Sequence, residues 1–146
     1  MNLNLSKYNG KEGLVSYANR SSEKKAKKQL DAVHHAFYNT AIWKRMRAQC
    51  LRSSPLCVRC EVRGRTREAT TVDHVVLFQD RHDTMATDSS NLRGLCLRCH
   101  GLASNIEKSM RLEWRKRYDE GESIESIAEE KYAKAKDVVD ADGYYV

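Results

Sequence analysis

A chain of 146 residues has room for one domain with appendages rather than two full domains. Its formal charge of +6 and pI ≈ 9.1 point to a polyanionic partner. No stretch approaches the roughly 20 apolar residues of a membrane span, and the opening residues Met1 to Ser6 lack the apolar core of a secretory signal, so a cytoplasmic setting is expected, where paired cysteines hold metal rather than form disulfides.

Residues 1–21 carry Gly10, Gly13 and several asparagines without periodicity, and read as a flexible arm. Helix formers follow from Ser22, and Leu30, Val33 and Phe37 recur at i, i+3 and i+7, which predicts a helix with a narrow apolar stripe. His34 and His35 on this helix have no metal-like partners and read as surface or packing residues. Asn39 and Thr40 offer a break and an N-cap. A second helix is expected to bury Ile42, Trp43, Met46, Cys50 and Leu51, and to stop at Ser53-Ser54-Pro55. Leu56 to Arg65 then reads as a cysteine knuckle closed by a turn at Gly64.

The β-branched run from Thr70 to Phe78 predicts a strand, and Gln79 to Ser90 a polar loop in which His82 is an exposed residue. Asn91 to Leu95 reads as a short return strand. A helix is expected from about Leu97 to Tyr118, with Leu102, Ile106, Met110 and Trp114 inward, ended by Gly121. A last helix is expected over Ser123 to Lys136, with Ile124, Ile127, Ala128 and Tyr132 periodic. These elements divide into an arm (1–21), a central domain (22–118, core 55–110) and an acidic helical extension (119–146).

Charge is unevenly spread. Between Ala41 and Arg67 eight basic residues face Glu61 alone, whereas Asp119 to Asp142 holds nine acidic residues and three lysines. The basic block adjoins the first cysteine pair and marks a candidate phosphate-facing side, with Lys44, Arg45, Arg47, Arg63, Arg65 and Arg67 as candidates for contacting a phosphate backbone.

Two Cys-x-x-Cys pairs, Cys57/Cys60 and Cys96/Cys99, have the spacing at which turns present paired thiolates to one tetrahedral Zn2+. Between and beside them stand Asp73-His74, Asn91 and His100, side chains that suit a second metal site. Phosphodiester hydrolysis needs a base for water and positive charge for the phosphorane and the leaving oxygen. An imidazole with an ordinary pKa near 6.5 can be a neutral base at cellular pH. Neighbouring strand residues diverge, so one of Asp73 and His74 can hold metal while the other reaches water. His100 can alternatively join the zinc shell or cap its helix, and Asn91 can be simply a turn residue.

The order Asp-His on a strand, Asn, then Cys-x-x-Cys-His opening a helix resembles the HNH endonucleases of the His-Me finger superfamily. It is most similar to small phage and bacterial members with two Cys-x-x-Cys pairs. The resemblance spans about Phe37 to Met110 and takes in Phe37-Tyr38, Trp43, Arg47 and Leu51. It implies an α+β fold: a small ββα-metal core with a four-Cys structural zinc site and flanking helices. It further implies His74 as general base and Asp73 with His100 as ligands of one catalytic divalent ion, Mg2+ or another such as Mn2+ or Ni2+. Asn91 would brace the hairpin, and Cys57, Cys60, Cys96 and Cys99 would hold Zn2+. Double-stranded DNA would be nicked or cut to leave a 5′-phosphate, and the phage-like pattern implies a protein partner in packaging or defence. Three positions depart from the family: Leu77 where many members have proline, Ala103 where many have a basic residue, and Ser104 where other branches place a further ligand. The rival expectation is a non-catalytic zinc module that binds DNA or a protein on a degenerate scaffold.

Overall fold

A computed structural model of the chain describes residues 10–134, and the side chains of residues 20–133. The expected arm falls partly within a long helix, α1 (Gly10–Tyr38), which begins well before Ser22. Residues 1–9, and the last two residues of the helix expected to reach Lys136, lie outside the described residues. Thr40 caps α2 (Ala41–Ser53), its hydroxyl accepting from the Trp43 N–H at 3.2 Å, so the predicted break and cap are both present. The buried side of α2 is narrower than expected. Trp43 is buried and Met46, Cys50 and Leu51 pack against the core, but Ile42 is 48 % exposed.

The cysteine knuckle contains a single helical turn, α3 (Val58–Glu61), and is closed by Gly64 at φ 69°. Strand β1 (Thr71–His74) pairs antiparallel with β2 (Leu92–Leu95), matching Thr71 with Leu95, Val72 with Gly94, Asp73 with Arg93 and His74 with Leu92. Gly94 is required by close packing: a Cβ there would lie 2.9 Å from the Ala69 Cβ and 3.3 Å from the Ser54 carbonyl oxygen. Between the strands lie a short helix, α4 (Thr84–Thr87), and a 3-10 turn, Ser89–Asn91. Their N-caps are Asp83 and Asp88, whose carboxylates accept from Met85 N–H and Ser90 N–H. The polar loop is therefore two capped turns, a use of Asp that its composition alone did not separate from a coil.

The strand ends at His74, four residues short of the predicted Phe78. Val75, Val76, Leu77 and Phe78 are all at most 4 % exposed. Their apolar, partly β-branched character thus reflects burial rather than a ladder. Helix α5 (Leu97–Asp119) runs almost as predicted, burying Trp114 and packing Ile106 and Met110 against the core. After Gly121 (φ 106°) come α6 (Ile124–Ala128) and a π-helical turn, Glu129–Lys134. Ile124, Ile127, Ala128 and Tyr132 bury themselves in the same core as the hairpin. Arg117 fastens this segment, donating to Glu122 and Glu130 at 2.7 Å. Among the described residues, no helix is long and apolar enough to cross a membrane.

Candidate active site and cysteine cluster

Each cysteine pair straddles a helix start. Cys57 caps α3 and Cys96 caps α5, with Cys60 and Cys99 in the first turns. All four are buried, and their sulfurs lie within 4.8 Å of one another. Cys60 Sγ is 3.7 Å from Cys99 Sγ and 4.0 Å from Cys96 Sγ. A tetrahedron with metal–sulfur bonds of about 2.3 Å has edges of about 3.8 Å, so donor type and spacing fit Zn2+. Burial pushes the Cys60 and Cys99 thiols up in pKa, and neighbouring thiols add to it. Four thiolates at such range need a cation among them. Arg59, in the basic block but 1 % exposed, is turned inward, with its side chain hydrogen-bonded to Cys99.

The second site is a cleft of about 240 Å³ between the end of β1, the α1–α2 corner and one face of α5. Asp73, His74 and His100 all line it. His74 is 4 % exposed and wedged among aromatic rings: Trp43 stacks on it (centroids 5.2 Å, planes 23° apart), with Phe78 at 4.9 Å and Phe37 at 6.1 Å. Its Nε2 donates to the Ala86 carbonyl at 3.0 Å. That bond fixes the tautomer, so Nδ1 carries the lone pair and accepts from the Tyr38 hydroxyl at 3.4 Å. Burial pulls the His74 pKa down to about 4, so the imidazole is unprotonated throughout the neutral range. The Ala86 carbonyl is itself positioned from afar. It sits on α4, whose cap Asp83 accepts at 2.5 Å from Arg115 of α5.

Asn91 is fully buried and staples the segment after β1. Its Oδ1 accepts from Val76 N–H at 2.9 Å, and its Nδ2 donates to the Val76 and Met85 carbonyls at 2.9 and 3.0 Å. The Asn91 backbone carbonyl accepts from Val75 N–H. The side chain thereby replaces the ladder that β2 no longer offers, more than a turn residue would do. Asn91→Ala strands three buried backbone groups and is expected to cost about 3 kcal/mol or more. Thermal unfolding checks this; a loss below about 1 kcal/mol would remove the stapling role.

Asp73 has partners that the sequence did not suggest. Its Oδ2 accepts from the Tyr132 hydroxyl at 2.5 Å and lies 2.9 Å from the Lys131 Nζ. Glu107 lines the same cleft, 3.5 Å from Lys131, and burial pushes its carboxyl up in pKa against the pull of that ammonium. His34 also lines the cleft, donating to the Phe78 carbonyl at 2.7 Å, so it is more than surface packing. Glu107 was findable: His100, Ser104, Glu107 and Arg111 follow one face of α5 at helical spacing. Lys131 and Tyr132 were not, since only tertiary folding brings them to Asp73.

The basic candidates separate into two groups. Lys44, Arg45, Arg47 and Arg67 are exposed, although Arg47 also donates to the Thr70 carbonyl at 2.6 Å. Arg63 donates to the Arg59 and Tyr132 carbonyls at 3.1 and 2.8 Å and braces the C-terminal turn. Arg65 is half-buried and, with Arg67, lines a small recess beside Cys60 and Cys99.

Four cysteines thus gather between the knuckle and the start of α5, and an Asp-His and a helical His line one cleft. Residues 57–105, roughly a third of the chain, match the family model for HNH endonuclease. Over that segment the chain is similar to the HNH endonuclease family. Its structure is similar to that of the HNH endonuclease of the deep-sea thermophilic bacteriophage GVE2, crystallised with a manganese ion. The two share 26% identity at a TM-score of 0.50, over 59% of this chain and 94% of the phage chain. No curated protein matches the chain significantly.

Proposed function

We propose that the chain is a metal-dependent endonuclease that hydrolyses phosphodiester bonds of duplex DNA, with His74 as general base. The observation that carries this reading is the cleft shared by Asp73, His74 and His100, in which the His74 Nε2 is committed to a carbonyl and Nδ1, facing the Tyr38 hydroxyl, carries the basic lone pair. His74 takes the proton of an attacking water; the aromatic rings and the Ala86 carbonyl keep the ring from turning away. Asp73 and His100 would hold a divalent ion such as Mg2+ or Mn2+, which retain water ligands readily. Such an ion, when bound, supplies positive charge to the phosphorane and the leaving oxygen. Lys108 and Arg111 at the cleft, with Lys44, Arg45 and Arg67 on the outer surface, draw the phosphate backbone. The four cysteines hold a structural Zn2+ that fixes the hairpin against α5.

The similarity to an HNH endonuclease that carries manganese supports this reading. The Lys131 ammonium on Asp73 favours a second one, a scaffold that binds DNA without cutting it. Nicking of supercoiled plasmid distinguishes the two. The first expects conversion to open-circular or linear DNA in Mg2+, Mn2+ or Ni2+, stopped when those ions are withheld. No conversion in any of the three would favour the second.

A further inference from the structure

The C-terminal turn Glu129–Lys134 lies outside the matched segment, yet it reaches the Asp73 side of the cleft. Lys131 is 0 % exposed, and its Nζ meets four oxygens: the His74 carbonyl at 2.8 Å, Asp73 Oδ2 at 2.9 Å, Glu107 Oε2 at 3.5 Å and the Val75 carbonyl at 3.5 Å. An ammonium has three N–H bonds to give, so this set occupies it fully. Tyr132 donates to the same Asp73 oxygen. Oδ2 is thus taken twice, and only Oδ1 remains for a further ligand. The site already holds a positive charge among carboxylate and carbonyl oxygens, tethered by the chain.

We propose that Lys131 is a built-in cation that sets the affinity of the cleft for a divalent ion, opposing it by charge and restricting Asp73 to one-oxygen ligation. This rests on the reading of Asp73 as a metal ligand. With Lys131, Asp73 and Glu107 together leave less negative charge to attract a metal than the two carboxylates alone. A divalent ion on Oδ1 lies within a few ångströms of the ammonium, where the repulsion is strong even at high dielectric. Linkage then makes the effect mutual: metal binding loosens the hold of the C-terminal turn to the extent that the turn weakens metal binding. Lys131 is a positioning residue in this account, acting on Asp73 and not on the substrate.

The test is Mn2+ titration of the zinc-loaded full chain, with free Mn2+ read by electron paramagnetic resonance. The variants are Lys131→Met, Tyr132→Phe and Asp73→Asn. Lys131→Met is expected to tighten Mn2+ binding by about tenfold or more. Tyr132→Phe keeps the charge and should change affinity less, while Asp73→Asn should abolish binding at this site. Equal or weaker binding by folded Lys131→Met, with the Asp73 dependence intact, would overturn the proposal and leave the nuclease reading standing. Mn2+ binding that does not depend on Asp73 would sink both. A second measurement uses the unaltered chain, in case Lys131→Met does not fold. Hydrogen exchange in residues 129–134 should quicken on adding Mn2+; unchanged or slowed exchange would overturn the proposal.

Discussion

Cys99→Ser, or removal of zinc by a strong chelator, is expected to unfold the central domain rather than merely loosen it. The sheet has two strands of four residues each, and an isolated two-stranded hairpin is marginal in water. Structural zinc contributes on the order of 10–16 kcal/mol of apparent binding energy in zinc-finger peptides. Whole domains are stable by only about 5–15 kcal/mol. Losing the ion therefore removes as much as the domain has to lose. Without it, burial holds the Cys60 and Cys99 thiols protonated, and the bonds that would tie the knuckle at Cys57 and Cys60 to the start of α5 are gone. Metal analysis should give one tightly held zinc per chain. Circular dichroism should show the cooperative thermal transition vanish with the ion, and an unchanged melt in the zinc-free chain would refute this role.

His74→Ala is the second change with a large expected effect. A positioned general base contributes about 10²–10⁴-fold to a rate, and plasmid nicking should fall by about that factor with every ion that supports it. The substitution also removes a ring packed among Trp43, Phe37 and Phe78, so a stability loss of about 2 kcal/mol is expected alongside. Zinc content and DNA binding should persist, since neither depends on the imidazole. The assay is run well below the variant's melting temperature, so that lost chemistry is read apart from lost fold. Equal cleavage by the variant would remove His74 as base.

Much of the site was legible because its chemistry rests on short spacings. Cys-x-x-Cys puts one cysteine at a helix cap and the other in the first turn, and His100 follows directly on α5. Asp73, His74 and Asn91 are then carried by the hairpin that those helices clamp. Local burial was harder to read. Val75 to Phe78 look like strand, but their backbone groups are taken by Asn91, Lys131 and Arg115. Net charge does not distinguish arginines that face outward from those that face inward. Arg59 and Arg63 belong to the basic block but turn inward, one to a thiol and one to backbone carbonyls. The periodic apolar residues of the acidic extension indicate a helix that packs on the core, but not that it delivers Lys131 and Tyr132 to Asp73 across 58 and 59 positions of sequence. Such contacts depend on how α6 packs, which no local pattern encodes.

One measurement addresses the centre of this account: anomalous diffraction from crystals of the zinc-loaded protein soaked in Mn2+. A manganese peak is expected in the cleft, bonded to Asp73 Oδ1 and a nitrogen of His100, with His74 facing the same space and unligated. Manganese bound elsewhere, or His74 itself serving as a ligand, would contradict it.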